Sequence, residues 1–156
     1  MSLGLITSLC SFVFCFQFVV GLWPVPRNLS AGTTPLRLSA SFSINVNIPN
    51  APSDLFDAVA RTETFLKQDK LQRLVVGRGM NDSQRIQAAQ TLASMSISIV
   101  GSRRVQSISS EAILDLTERS EGYTLTVPSD GSRAELTAAS TLGLFRGLKT
   151  VSLHST

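Results

Sequence analysis

Apolar and polar residues alternate strictly along one stretch of the chain, from Leu36 to Ile48. The residues between the apolar positions are Arg, Ser or Asn. Because successive side chains of a strand point to opposite faces of a sheet, this period predicts one or two strands with one buried face. Pro49 and Pro52 end the stretch. The predicted inward residues are Leu36, Leu38, Ala40, Phe42, Ile44, Val46 and Ile48.

From Ser53 to about Arg73 the apolar residues follow a helical period instead. Ser53 or Asp54 is suited to cap this helix, and Asp54 and Asp57 lie in its first turn, where negative charge is favourable. Glu63 lies one turn before Lys67, a spacing typical of surface ion pairs. These carboxylates are therefore interpreted as structural rather than catalytic. The predicted apolar stripe consists of Leu55, Phe56, Val59, Ala60 and Leu66.

The middle of the chain carries weaker patterns. Glycines and Asn81-Asp82 predict a loop, and Gln84 to Leu92 fits a short helix. Met95 to Val100 alternates apolar residues with serines and predicts a strand. Val105 to Ile108 is predicted to be extended, and Glu111 to Arg119 to be a helix or a turn.

The stretch from Glu121 to Leu148, EGYTLTVPSDGSRAELTAASTLGLFRGL, predicts a hairpin followed by a helix. Tyr123, Leu125 and Val127 share one side of its first strand, and a Pro-Ser-Asp-Gly turn leads to a second strand over 133–137. With the preceding elements, this order predicts an α+β fold. Its mixed or antiparallel sheet has helices packed on one face. The predicted terminal helix carries Leu142, Leu144, Phe145 and Leu148.

The first 22 residues contain no charged side chain. Their apolar centre and the small residues near Gly21 predict a cleaved secretory signal peptide over 1–21, and hence a secreted protein. The alternative is an uncleaved membrane anchor, since about 20 apolar residues can span a bilayer. Both cysteines, Cys10 and Cys15, lie in this segment, so the remaining chain predicts no disulfide framework and no nucleophilic thiol.

Charge and composition exclude several classes of function. The net charge of +3 is small and scattered, and Arg103-Arg104 is the only adjacent basic pair, so no nucleic-acid-binding surface is predicted. The single histidine, His154, leaves no zinc motif, and we predict neither a metal nor a cofactor. No stable membrane association is predicted if the signal peptide is cleaved.

Two N-x-Ser tripeptides predict N-glycosylation at Asn28 and Asn81 in a secreted chain. Trp23, the only tryptophan, lies beside Pro24 and Pro26. It is interpreted as a structural plug that holds the start of the mature chain against an apolar surface, with stacking on a sugar as the alternative.

The stretch from 121 to 148 resembles the end of the N-terminal domain of secreted β-N-acetylhexosaminidases of glycoside hydrolase family 20, of the fungal type. The "YTL-V" and "ST-G-FRGL" passages carry the resemblance, and the "LWPxP" opening at Leu22 is similar as well. The resemblance implies a mixed sheet covered by helices, zincin-like in shape, over 22–150. The signal peptide precedes this domain, and a divergent tail over 151–156 follows it.

The resemblance also implies where the chemistry of the family lies. The full enzymes remove terminal N-acetylhexosamines from chitin fragments and glycans by substrate-assisted catalysis. An adjacent Asp-Glu pair in a catalytic barrel orients the acetamido group and protonates the leaving oxygen. This sequence has no Asp-Glu dipeptide, and a (β/α)₈ barrel needs about 250 residues. We therefore expect no catalytic residue here, and a chain that is inactive alone.

Three interpretations remain open: a truncated hexosaminidase reduced to its support domain, a secreted module that binds chitin-type sugars, and a small secreted or membrane-anchored protein of unrelated function. The first implies the family's catalytic barrel as partner and leaves open pairing with a full-length homologue. Gly143 and Gly147 lie four residues apart, which allows another element to approach closely. The terminal helix is therefore predicted to be a docking surface, made of Leu142, Gly143, Leu144, Phe145, Arg146, Gly147 and Leu148.

Overall fold

The computed structural model describes residues 27–30, 32–68, 84, 87–101 and 104–154, with the side chains of the last two left out. Its elements in chain order are β1 (Leu36–Val46), α1 (Ser53–Gln68), β2 (Gln90–Ile99), α2 (Ile108–Ala112), β3 (Tyr123–Thr126), β4 (Ala134–Ala138) and α3 (Thr141–His154). None of the helices within these ranges is long and apolar enough to cross a membrane. The predicted signal peptide lies outside the described residues.

The four strands form one mixed sheet in the order β1-β2-β4-β3. β1 and β2 are parallel, as are β2 and β4, whereas β3 pairs antiparallel with β4. The helices α1 and α3 pack beside each other on one face of this sheet. The predicted α+β class, with a mixed sheet and helices on one face, is confirmed.

The core lies between the sheet and the two long helices. Met95 and Ile97 of β2 and Leu136 of β4 are fully buried at its centre. Leu55 of α1 and Leu144 of α3 cover them and are equally buried. The opposite face of the sheet is polar and exposed or half-buried, with Ser43, Asn45, Ser96, Ser98, Thr124 and Thr137. The alternation of apolar and polar residues along the strands therefore corresponds, as predicted, to one buried and one exposed face of the sheet.

The alternation in β1 is interrupted before the middle of the strand. Leu38 pairs with Leu92, but the next pair joins Ser43 to Ser94, so β1 contains extra residues relative to β2. This irregularity turns Ala40 to solvent, and the prediction that it faces the core is wrong. The pairing with β2 is interrupted between Leu38 and Ser43, so Ala40 leaves the regular pleat, whereas Phe42 and Ile44 beyond it face the core as predicted.

The helix α1 buries a narrower stripe than predicted. Phe56 is 51% exposed and Ala60 is exposed, so their placement in the core is wrong. Thr62 is buried on this helix although its side chain is polar. Its burial is tolerated because the hydroxyl donates a hydrogen bond to the Ala58 carbonyl at 2.9 Å. The part of the predicted helix beyond Gln68 lies outside the described residues.

Two boundaries in the middle of the chain also differ from prediction. Gln84 and Gln87 are helical, but residues 90–92, predicted to continue that helix, begin β2, where Leu92 reaches the core. Ile108 begins α2 rather than ending an extended piece. Its start is set by Ser107, whose side-chain oxygen accepts from the Ser110 backbone N–H at 3.0 Å.

The predicted hairpin is confirmed, with its second strand shifted by one residue. Tyr123 pairs with Ala138 in the antiparallel ladder. The turn depends on Gly131, whose φ of 76° lies in the left-handed region that favours glycine. Beside it, the Ser132 backbone N–H donates to Asp130 Oδ1 at 2.9 Å, which, with the Ser132 side chain, lowers the pKa of the Asp130 carboxyl.

Candidate functional site

The predicted docking helix, α3, is largely occupied by its own domain. Five of the seven predicted residues are buried within the described chain, while Phe145 and Arg146 are half-buried. The buried five are Leu142, Gly143, Leu144, Gly147 and Leu148. Docking on this helix stays a prediction, and its partner would meet the outer side of α3.

The two glycines of α3 allow the sheet of the same domain to pack closely against this helix. A Cβ added to Gly143 would lie 2.6 Å from the Gly122 carbonyl oxygen and 2.9 Å from Ala138 Cβ. A Cβ added to Gly147 would overlap the Leu136 side chain. The element whose close approach the spacing predicted is therefore β4 together with the segment before β3.

The amino-terminal end of α3 is fixed by side chains from distant parts of the chain. Glu111, only 6% exposed, accepts from the Leu142 backbone N–H through Oε2 at 2.8 Å. Ser140 Oγ accepts from the Gly143 N–H at 2.9 Å and donates to the Ser120 carbonyl. These bonds satisfy amide groups that a helix leaves without intrahelical partners. They also join α2, the segment before β3 and α3 into one unit.

Sequence reasoning missed the role of Glu111. The residue lies in a segment predicted as helix or turn, and nothing in its local pattern indicates burial. The sequence does indicate that the helix which Glu111 contacts has a capped start, because Ser140-Thr141 at the beginning of an apolar helix is typical of a helix cap. Thr141 also contributes, since its hydroxyl donates to the Gln106 carbonyl at 2.9 Å.

The three carboxylates considered on α1 do not form a common site. Asp54 Oδ2 accepts from both the backbone N–H and the hydroxyl of Ser109, at 3.1 and 3.2 Å. Glu63 Oε1 accepts from the Ile44 backbone N–H at 2.6 Å. The hydrogen bond found for Glu63 is thus to the edge strand β1 rather than to Lys67. Neither contact is the one predicted from the sequence, which indicated a helix-start role for Asp54 and an ion pair with Lys67 for Glu63; the interpretation of these carboxylates as structural stays a prediction.

The outer side of α3 is polar and charged. Arg146 Nε lies 3.1 Å from Glu121 Oε2, and the Lys149 ammonium lies 5.4 Å from the centre of the Phe145 ring. On the inner side of the helix, buried Thr150 joins α3 to β3, because its hydroxyl oxygen lies 2.6 Å from that of Tyr123. A partner on the outer side of α3 would therefore be recognised mainly by polar contacts.

Large apolar side chains are exposed elsewhere in the helical layer. Phe65 of α1 is 44% exposed, and in the turns after α2 Ile113 is 83% and Leu116 is 81% exposed. Phe56 and Phe65 lie on opposite flanks of α1, nine residues apart. A contiguous apolar patch marks a surface for a protein partner, whereas apolar side chains exposed singly are normal, so these exposures alone do not identify a partner site. We call Phe56, Phe65, Ile113 and Leu116 the outer helical surface.

The candidate chemistry of the described residues is limited. No group of three or more His, Cys, Asp or Glu side chains within them could hold a metal ion. A cavity of about 160 Å³ at one end of the sheet has an almost wholly apolar lining. Of the two predicted glycosylation sites, Asn28 is exposed, while Asn81 lies outside the described residues, as does Trp23.

Comparison with models of known protein families matches residues 22–152 to the family described as beta-acetyl hexosaminidase like. The match covers every described strand and nearly all of α3. A comparison with individual curated proteins finds no significant match.

Proposed function

The chain belongs to the beta-acetyl hexosaminidase-like family, and from this premise we propose that it is the non-catalytic support domain of a β-N-acetylhexosaminidase-type protein. The match over residues 22–152 carries the proposal, since it coincides with the folded domain. In this proposal, hydrolysis of terminal N-acetylhexosamines belongs to a catalytic barrel that the domain stabilises. We also propose that this domain is of the fungal type within the family.

The outer helical surface supports this proposal. Its side chains, Phe56, Phe65, Ile113 and Leu116, are between 44% and 83% exposed, although each would gain free energy by leaving water. The glycine-bearing side of α3 is already covered by β4. We therefore propose that a catalytic barrel packs on the outer helical surface and on the polar outer side of α3.

This proposal is tested by supplying the chain to a barrel-only fragment of a family 20 hexosaminidase in a secreting host. Hydrolysis of a chromogenic N-acetylglucosaminide is the measurement. The chain alone is expected to give no turnover above background. Co-expression is expected to raise the secreted activity of the barrel fragment severalfold, because the barrel gains a partner for its exposed apolar surface.

Charged substitutions on the outer helical surface test whether this surface is where the barrel fragment binds. Leu116→Asp and Ile113→Asp are expected to abolish the gain, and neither change disturbs the core because both side chains are more than 80% exposed. Leu29→Asp is the matched control, since Leu29 is 55% exposed but precedes β1. All of these variants also carry Asn28→Gln, because Leu29 lies inside the Asn28-Leu29-Ser30 acceptor tripeptide. Turnover by the purified chain alone, or an equal gain from Leu116→Asp and the unaltered chain, would contradict the proposal.

We further propose that the chain enters the secretory pathway, loses residues 1–21 and carries an N-linked glycan on Asn28. The exposure of Asn28 in a bend before β1 supports this, because the modification requires an accessible loop. Asn28→Gln is expected to reduce the mass of the secreted protein by one glycan, which endoglycosidase treatment and mass spectrometry measure. Ser30→Thr preserves the acceptor tripeptide and should leave the glycan in place. An unchanged mass in Asn28→Gln would argue against the modification.

A further inference from the structure

Among the described strands, β1 lies at one edge of the sheet and pairs with β2 alone. This pairing is regular from Ser43 to Val46, and beyond it the Asn47 backbone N–H donates to the Ile97 carbonyl of β2 at 2.9 Å. Alternate residues of a strand direct their amide groups to opposite sides, so Ile44 and Val46 direct theirs away from β2. We call this side of the regular stretch the outer edge of β1.

Glu63 of α1 covers the outer edge of β1. Its Oε1 accepts a hydrogen bond from the Ile44 backbone N–H at 2.6 Å, in a partly buried contact between residues 19 apart. Hydrogen bonds to a carboxylate are stronger than those between neutral groups. A strand added to this edge would accept the same amide through a backbone carbonyl. The Glu63 carboxylate therefore occupies a position that an added strand requires.

The preceding part of β1 is also unsuited to regular pairing on this side. Its register with β2 shifts between Leu38 and Ser43. Within this irregular stretch, the Ser41 backbone N–H donates to Ser39 Oγ at 3.2 Å. Proteins protect edge strands by bulges and by charged groups placed over the edge. β1 has both, and Glu63 covers the longer of its two regularly paired stretches.

We propose that Glu63 holds the outer edge of β1 closed against strand addition by a second copy of this chain. An added strand would have to displace the carboxylate from the Ile44 amide. The displaced charge would then lie beside two paired strands, where burial without a hydrogen bond is costly. An edge without this carboxylate presents an amide that a backbone carbonyl of the incoming strand satisfies.

The occupant is a second copy because β1 is suited to pair with itself. Two identical strands that pair antiparallel about a twofold axis satisfy each other's outward amide and carbonyl groups. The exposed side chains of the regular stretch, Ser43 and Asn45, are uncharged, so they do not repel their counterparts across such a pair. Removal of the Glu63 carboxylate is therefore expected to convert a monomer into a dimer.

Sedimentation velocity of the purified chain over a range of concentrations tests the proposal. The unaltered chain is expected to be a monomer. Glu63→Ala is expected to dimerise with a dissociation constant about tenfold to a hundredfold lower than that of the unaltered chain, because the Ile44 amide loses its acceptor. Glu63→Gln keeps an acceptor oxygen and should remain monomeric. Asp57→Ala is the matched control, since it removes an exposed carboxylate from the same helix and should not change association.

A second substitution distinguishes strand addition from aggregation of unfolded protein. Asn45→Lys brings like charges together across an antiparallel β1 pair, so in the Glu63→Ala background it is expected to restore a folded monomer, checked by circular dichroism. Thr124→Lys, at an exposed position of β3 on the opposite edge, should leave the dimer intact. A monomeric Glu63→Ala protein would overturn the proposal, as would association that Asn45→Lys leaves unchanged or that Thr124→Lys abolishes.

Discussion

Replacing Gly143 by alanine is expected to lower the free energy of unfolding by about 2 kcal/mol, although alanine is the better helix former by about 1 kcal/mol. The added methyl group would lie 2.6 Å from the Gly122 carbonyl oxygen and 2.9 Å from Ala138 Cβ. Neither atom can rotate away, because one belongs to the backbone and the other to a central strand. The helix α3 must therefore move away from the sheet, which loosens the contacts of Leu144 and Leu148.

Chemical denaturation of the purified protein measures this loss. Gly122→Ala is the matched control, since a methyl group there meets no atom within 4 Å. Gly147→Ala should cost less than Gly143→Ala, because the obstructing atoms belong to the Leu136 side chain, which can adjust its rotamer. Equal stability of the Gly143→Ala and Gly122→Ala proteins would show that the close approach of α3 to the sheet is not required.

Replacing Glu111 by alanine is expected to lower the free energy of unfolding by about 2 to 3 kcal/mol. The change leaves the Leu142 backbone N–H, a buried donor, without its acceptor at 2.8 Å. It also removes a negative charge from the amino-terminal end of α3, where the helix dipole favours one. Glu111→Gln keeps an acceptor oxygen and loses only the charge, so its expected cost is about 1 kcal/mol.

Thermal and denaturant unfolding measure these differences, with Glu118→Ala as control. Glu118 lies seven residues further along, in the turns that follow α2, and its side chain is exposed. Its removal should change stability by less than about 0.5 kcal/mol. Similar unfolding curves for Glu111→Ala and Glu118→Ala would contradict the proposed role of the buried carboxylate.

The local elements of this domain were largely predictable, because each strand has one buried face. Ile44, Ile97 and Leu136 each alternate with polar residues, and each lies in the core. The turn at Gly131 was predictable for the same kind of reason, since its backbone conformation favours one residue type. The pattern within each strand or turn is therefore enough to predict its type and its buried face.

The order of the strands was not predictable from the same patterns. Alternation indicates which face of a strand is buried but carries no information about which strands are its neighbours. The parallel pairing of β1 with β2 and of β2 with β4 could therefore be seen only in the structure. The same limit explains Ala40, whose outward position depends on the irregular pairing of β1 with β2.

Long-range hydrogen bonds account for the part of the candidate site that the sequence did not indicate. Glu111 and Leu142 are 31 residues apart, and Glu63 and Ile44 are 19 residues apart. Each contact exists only because two elements are already packed. The glycines of α3 were recognised as a close-approach motif, but the identity of the approaching element depended on the position of β4 in the sheet.

The place of β4 in the middle of the sheet bears on how the protein is made. β4 lies between β2 and β3 but is the last strand along the chain, so a growing polypeptide produces β1 and β2 long before β4 can join them. During that interval β2 presents an open edge of unpaired amide and carbonyl groups, which favours aggregation. The domain is therefore expected to complete folding only after α3 has left the ribosome, and nascent chains that stop before residue 134 should depend on chaperones.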